Sequence, residues 1–110
     1  HHAMVAEFSL DKPVTLRGTL TKLLWINPHG WIYLDVKGAD GQVENWAIET
    51  GGPGRMQKSG LRTTDFRIGR ELIVGGFAAK DGSRHAAGMI VTFPDREALS
   101  DRPASFALGR

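Results

Sequence analysis

Histidine is the residue type in this chain that is best suited to chemistry, because imidazole binds metals and titrates near neutral pH. The chain contains four histidines: His1, His2, His29 and His85. A histidine at a free N-terminus chelates a metal through its α-amine and its ring together, an arrangement that copper prefers among divalent ions. With a third imidazole from His29 or His85, the sequence predicts a metal site, with copper as the favoured ion and zinc as the alternative.

The opening letters HHAM admit two interpretations. If His1 is the native first residue, the segment supplies an amine, two imidazoles and the thioether of Met4, which is a soft metal donor. A truncated polyhistidine tag joined to a cloning scar would leave the same letters and would carry no function. Composition alone favours the tag.

The stretch WINPHGWIY surrounds His29 with turn-forming and aromatic residues. Asn27-Pro28 and His29-Gly30 form turns readily, and Trp31 and Tyr33 fall on one side of the strand that follows. One interpretation is a plain chain reversal. The other is a metal-free surface for a small ligand or an envelope protein, formed by Asn27, Pro28, Trp31, Tyr33, Trp46 and Glu49.

A basic stretch over residues 54–70 is the third candidate. It contains five basic residues and one acidic residue, Asp65; the basic residues are Arg55, Lys58, Arg62, Arg67 and Arg70. Basic residues beside exposed aromatic rings are typical of surfaces that bind single-stranded nucleic acid. The ordinary explanation is a solvated helix and loop. We favour that explanation, because a net charge of +2 releases few counterions.

Nothing in the spacing of the other polar residues indicates an active site. Asp35, Glu44 and Glu49 lie on different parts of the predicted strands, and Ser83 and His85 share a turn without an orienting acid. The absence of cysteine excludes thiolate nucleophiles, disulfides and iron–sulfur clusters. We therefore predict a binding protein rather than an enzyme.

Alternating hydrophobicity predicts five strands, over residues 13–25, 31–37, 43–50, 71–80 and 84–93. The alternation slips beyond Lys22, which predicts a bulge or a strong bend in the first strand. In the second strand, Ile32, Leu34 and Val36 should face the core, which leaves the aromatic residues of that strand on the outer face.

The long connection between the third and fourth strands is predicted to hold a short helix near residues 54–59. Pro53 suits its first turn and Gly60 suits its C-terminal cap. Such a helix is too short to be stable alone, so Met56 and Leu61 should pack it against the sheet.

Five strands with a helix between the third and the fourth predict an all-β fold, a small five-stranded OB-like barrel. An SH3-like barrel is the main rival, and the position of the helix argues against it. In an OB-fold the loops after strands 1 and 4 share one rim, where His29 and His85 would lie close together.

The length of 110 residues suits one domain. We place it over residues 1–96, with the two N-terminal histidines as an arm, and expect residues 97–110 to be a loosely held tail because they show no period. No run of about 18 apolar residues exists, so no membrane span is expected.

Several stretches resemble, in order, a family of small uncharacterised bacterial exported proteins, known as a domain of unknown function. These are HHAMVAEF, KPVTLRGTLTK, WINPHGWIYLDVK, VENWAIE, FAAKDGS and AAGMIVTFPD, which together cover residues 1–96. The resemblance implies a small β-barrel, export to the periplasm, a mature start at the His-His pair and a W-x-N-P-H-x-W motif. The matching positions are His1, His2, Pro28, His29, Trp31, Trp46 and Glu49. The family carries an aromatic residue where this chain has Met4.

The resemblance favours native N-terminal histidines over a tag and implies no activity. Two functions follow. The first is a periplasmic module that binds a transition metal through His1, His2 and His29, with His85 and Met4 as further donors. The second is a metal-free module whose partner is a small ligand or an envelope protein.

Overall fold

The structure, a computed structural model, describes residues 7–96 and 100–110. The described residues form six strands, one α-helix and one turn of 3-10 helix. In chain order they are β1 (Phe8–Leu24), β2 (Trp31–Lys37), β3 (Val43–Glu49), α1 (Pro53–Lys58), the 3-10 turn (Thr63–Asp65), β4 (Glu71–Ala79), β5 (His85–Thr92) and β6 (Ser105–Ala107). The protein is therefore mostly antiparallel β-sheet with one short helix, in agreement with the prediction of an all-β class.

The strands lie in one sheet in the order β3-β2-β1-β4-β5-β6, and each neighbouring pair in this order is antiparallel. β3 also pairs with β5 in parallel, with Ala47 opposite His85 and Glu49 opposite Ala87. This additional pairing brings β5 beside β3 and β2, although β5 stands at the other end of the order. It determines which side chains meet at the candidate site.

β1 begins five residues before the predicted start and pairs with two neighbours. Residues 8–19 pair with β4 and residues 18–24 pair with β2. The predicted irregularity is present, because the register with β2 shifts between Leu20 and Lys22. A bulge of this kind increases the local twist of a strand, which suits a strand that passes from one neighbour to another.

The apolar residues predicted to face the core are found there. Ile32 and Leu34 of β2 are fully buried, and Val36 packs partly buried against the same cluster. Met56 of α1 and Leu61, just beyond the helix, are also buried. Packing of these two side chains in the core cluster stabilises a helix that is too short to be stable by itself.

The described part of the C-terminal segment is held firmly, which corrects the prediction of a loosely held tail over residues 97–110. Ser105–Ala107 form β6 against β5, and both Phe106 and Leu108 are buried. Leu108 also donates its backbone N–H to the carbonyl of Met89 over 2.9 Å. A strand of three residues is too short to show a period, yet burial of two large side chains is enough to anchor it.

None of the helices in the described part of the chain has the length and apolar character needed to cross a bilayer.

Candidate functional site

The strand pairings bring four of the predicted site residues to one face of the sheet. Trp31 lies directly opposite Glu49, and Tyr33 lies opposite Ala47. Ala47 in turn lies opposite His85 in the parallel pair. Because paired residues share a face, all of these side chains lie on the side away from the core residues of the same strands.

The carboxylate of Glu49 is the centre of the candidate site, and its side chain is only 12% exposed. Oε1 lies 3.1 Å from Nη1 of Arg110 and 3.4 Å from Nδ1 of His29. Oε2 lies 3.9 Å from Nε2 of His85. One mostly buried carboxylate therefore faces two imidazoles and one guanidinium, and the guanidinium supplies the counter-charge that a buried carboxylate requires.

His29 is held by its Nδ1 nitrogen. This atom lies 3.2 Å from the carbonyl oxygen of Thr50 and 3.4 Å from Oε1 of Glu49. Both oxygens accept hydrogen bonds, and they lie closer to Nδ1 than the donor Nη1 of Arg110, at 3.5 Å, so they favour the tautomer in which Nδ1 carries the proton. Nε2 then keeps the lone pair, and the side chain is 45% exposed, so His29 has a nitrogen to offer to a metal.

Backbone hydrogen bonds join the loop that carries His29 to the end of β3. Gly30 donates its N–H to the carbonyl of Gly51 over 3.0 Å and accepts one from Thr50 over 2.9 Å. The turn that follows Pro28 thus reverses the chain and also fixes where His29 lies relative to Glu49.

His85 lies between two aromatic rings. Its ring centroid is 5.3 Å from that of Trp31, with a tilt of 30°, and 5.1 Å from that of Phe8, with a tilt of 75°. Its Nε2 atom is buried and has no hydrogen-bond partner among the residues that the structure describes. A buried nitrogen without a hydrogen-bond partner destabilises the protein, because it has lost the solvation that water would give it.

A pocket of 470 Å³ opens beside this cluster. Its wall includes Glu7, Phe8, Pro28, His29, Glu49 and Arg110. The wall therefore combines apolar surface with charges of both signs.

The structure separates two residues that were predicted to share a ligand face. Trp46 lies opposite Leu34 and packs against the core cluster, so it is on the other side of the sheet from Tyr33. The Tyr33 ring has the Nζ atom of Lys22 at 5.5 Å from its centroid.

The predicted N-terminal donors His1, His2 and Met4 lie outside the described residues. Within the range that is described, no three histidine, aspartate or glutamate side chains are grouped so that they could hold a metal ion. His29 faces Glu49 through Nδ1, at 3.4 Å from Oε1.

Sequence analysis missed Arg110, whose side chain is 9% exposed in contact with Glu49, and Phe8, whose ring lies 5.9 Å from the Arg110 guanidinium. Arg110 lies in no motif, and Phe8 lies in the stretch HHAMVAEF, where its residue type alone does not indicate a binding site. The only available signal was the short apolar alternation at Phe106 and Leu108, which would have indicated that the C-terminal segment packs against the sheet.

Part of the basic stretch is engaged in ion pairs within the protein. Nη2 of Arg70 lies 2.7 Å from Oδ1 of Asp95, and Nη1 donates to the backbone carbonyl of Asp65 over 2.8 Å. These contacts tie the connection between α1 and β4 to the segment that follows β5.

Asp65 is the most buried carboxylate of that region. Its oxygens accept hydrogen bonds from Arg102, at 2.6 Å, from the backbone N–H of Arg62, at 2.9 Å, and from Arg96, at 3.3 Å. Burial raises the pKa of Asp65, but the hydrogen bonds from Arg102 and Arg62 and the charge of Arg102 outweigh it, so the pKa lies below its usual value.

Comparison with known proteins places the candidate site in a family context. Residues 1–89 match the family of unknown function DUF6152. No curated protein and no solved structure matches the chain. The matched range includes His29, Glu49 and His85, whereas Arg110 lies beyond it. The predicted resemblance to an uncharacterised family is thereby confirmed.

Proposed function

The chain belongs to the DUF6152 family of unknown function, and we propose that it is a non-enzymatic periplasmic module that binds a transition metal, copper or, as the alternative, zinc. The proposed ligands are the amine and ring of His1, the ring of His2 and Nε2 of His29. His85 and Met4 are further donors. The observation that carries the proposal is the way in which His29 is held.

Histidines that bind metals usually donate their other ring N–H to a carbonyl or a carboxylate. His29 has both acceptors at Nδ1, the carbonyl of Thr50 at 3.2 Å and Oε1 of Glu49 at 3.4 Å. These contacts fix the orientation of the ring and direct Nε2 away from both acceptors.

The chain length allows the N-terminal donors to reach His29. Glu7 and His29 line the same pocket, and the five peptide steps from His2 to Glu7 span at most about 18 Å. Because the described histidines and carboxylates do not form a metal site by themselves, the proposal takes its remaining donors from residues 1–4. An N-terminal amine and imidazole favour copper over zinc.

We further propose that the sheet is an OB-like barrel. The parallel pairing of β3 with β5 supports this, because it links the two ends of the strand order β3-β2-β1-β4-β5. The position of α1 between β3 and β4 also suits this fold. The resemblance to exported proteins supports the proposed periplasmic location.

Calorimetric titration of Cu(II) and Zn(II), on protein whose N-terminus mass spectrometry confirms as His1, tests the function. We expect one submicromolar Cu(II) event per chain and weaker Zn(II) binding. Acetylation of the α-amine of His1 should weaken Cu(II) binding about tenfold or more, because the amine then no longer chelates together with the His1 ring. Absence of any heat of metal binding, or binding that acetylation does not change, would contradict the proposal.

Substitution of His29 tests the site. We expect His29→Ala to lower Cu(II) affinity about tenfold or more, because a ligand and its supporting hydrogen bonds are lost together. Ile26→Ala is the matched control, since Ile26 is an exposed apolar residue of the same loop, and its affinity should equal that of the wild type. Equal affinities for all three proteins would show that His29 is not a ligand.

A metal-free module for a small ligand or an envelope protein is the second candidate. The pocket of 470 Å³ favours it, because small-molecule pockets usually have volumes of about 300–1,000 Å³. The side chains of Trp31 and Tyr33 support this candidate less, because both rings already have partners within the protein. Trp31 stacks on His85, and Tyr33 lies beside Lys22. Absence of metal binding in the titration would favour this candidate.

A further inference from the structure

Two charged side chains in the wall of the 470 Å³ pocket have no counter-charge of their own. Glu7, just before β1, and Arg55, in α1, both line this pocket, and both are exposed. Among residues 7–96 and 100–110, neither side chain forms an ion pair or a side-chain hydrogen bond. The two charges therefore do not neutralise each other.

The other two charges of the wall, in contrast, form a pair. Nη1 of Arg110 lies 3.1 Å from Oε1 of Glu49, and their side chains are 9% and 12% exposed. A mostly buried carboxylate with its counter-charge inside the protein needs no further cation. Apart from the titratable ring of His29, the pocket thus offers a ligand one negative and one positive group, on different elements.

The rest of the wall includes apolar surface. Phe8, Pro28 and Met89 contribute it, and burial of apolar ligand surface drives binding. The volume of 470 Å³ falls within the range of about 300–1,000 Å³ that small-molecule pockets have. In such pockets a few polar groups fix the orientation of a ligand that is held mainly by apolar contacts.

We propose that this pocket binds a short zwitterionic peptide with apolar side chains, whose ammonium group pairs with Glu7 and whose carboxylate pairs with Arg55. The inference rests on the second candidate function, a metal-free pocket for a small ligand, because it names the class of that ligand. A bound ligand excludes water from the wall, and a charge that loses water without gaining a partner is destabilised. A ligand with charges at both ends compensates both groups. An arginine can also bind a carboxylate through two parallel hydrogen bonds.

The test is calorimetric titration of the dipeptide leucyl-leucine into the full chain at neutral pH. A chelator in the buffer prevents the peptide from binding trace metal. We expect one binding event per chain. N-acetyl-leucyl-leucine lacks the ammonium group and leucyl-leucine amide lacks the carboxylate, so each should bind about tenfold or more weakly, because each loses one charge-assisted contact.

Substitutions assign each end of the peptide to its residue. Arg55→Gln should weaken binding of leucyl-leucine about tenfold and leave binding of the amide within about twofold, since the amide has no carboxylate to lose. Glu7→Gln should weaken binding of leucyl-leucine in the same way and leave binding of the acetylated peptide unchanged. Lys58→Gln is the matched control, because Lys58 is an exposed basic residue of the same helix that does not line the pocket.

The outcomes separate this inference from the functions proposed above. If the acetylated and amidated peptides bind as tightly as leucyl-leucine, the pocket takes a small ligand but the two charges do not select it, so the inference fails while the second candidate stands. If none of the three peptides binds, the inference is overturned. The metal proposal is decided separately, by titration of Cu(II) without peptide.

Discussion

Asp65→Asn is expected to lower the free energy of unfolding by about 3 kcal/mol, the scale found when one partner of a buried ion pair is removed. The Asp65 side chain is 5% exposed and receives hydrogen bonds from Arg102 at 2.6 Å and from the backbone of Arg62 at 2.9 Å. Asparagine has nearly the same size, so little packing is lost. It leaves Arg102 and Arg96 without their buried counter-charge. Denaturant unfolding at neutral pH measures the difference.

The same substitution should reduce the loss of stability in acid. The pKa of Asp65 lies below its usual value, because the hydrogen bonds from Arg102 and Arg62 outweigh the effect of burial. A carboxyl group of this kind stabilises the fold above its unfolded pKa, near 3.9, and the contribution is lost as pH falls through the lower folded pKa. Below about pH 4 the wild type should therefore lose stability more steeply than Asp65→Asn.

An exposed ion pair provides the control. Arg17 and Glu71 approach to 2.8 Å, and both side chains are about half exposed or more. The hydrogen bond from Arg17 lowers the pKa of Glu71 as well, but water screens the pair and limits its contribution to stability. Glu71→Gln should unfold almost as the wild type does. A loss as large as that of Asp65→Asn would mean that burial does not decide which ion pairs stabilise this protein.

The elements that the sequence predicted well are those with a local cause. Alternation placed Ile32 and Leu34 in the core, and the break in alternation near Lys22 marked the shift of register in β1. Pro53 opens α1, and Gly60 ends the turn after it with a φ of 103°, a conformation that favours glycine. β6 escaped prediction because a three-residue strand is defined by its pairing with β5 and not by its own period.

The candidate site was predictable only in part, because it depends on contacts between distant segments. His29 and Glu49 stood out by residue type, but their proximity results from the bonds between Gly30 and the end of β3. The predicted OB-like fold placed His85 on the same rim as His29, but the approach of His85 to Glu49 depends on the parallel pairing of β3 with β5, which no local pattern indicates. The position of Trp46, in contrast, could have been predicted locally. It lies three residues before Glu49, so alternation along β3 already assigns the two side chains to opposite faces.

Gly51→Ala is expected to lower the free energy of unfolding by about 3 kcal/mol, at the upper end of the usual effect of overpacking. A Cβ atom on Gly51 would collide with the carbonyl oxygen of Gly109 and would lie 2.7 Å from its carbonyl carbon and 3.0 Å from its Cα. These are backbone atoms, which cannot rotate aside. The substitution must therefore displace the C-terminal segment. This segment is joined to Gly51, whose backbone N–H donates to the carbonyl of Leu108 over 2.8 Å.

Gly54→Ala is the matched control for this substitution. A Cβ on Gly54 would meet nothing within 4 Å, and alanine stabilises a helical position by about 0.5–1 kcal/mol relative to glycine, so this variant should be slightly more stable than the wild type. Hydrogen exchange gives the local readout, because the amide of Leu108 bonds to Met89 and should lose protection in Gly51→Ala. Equal stability and equal protection in both variants would show that the C-terminal segment, and with it Arg110, is not held against Gly51.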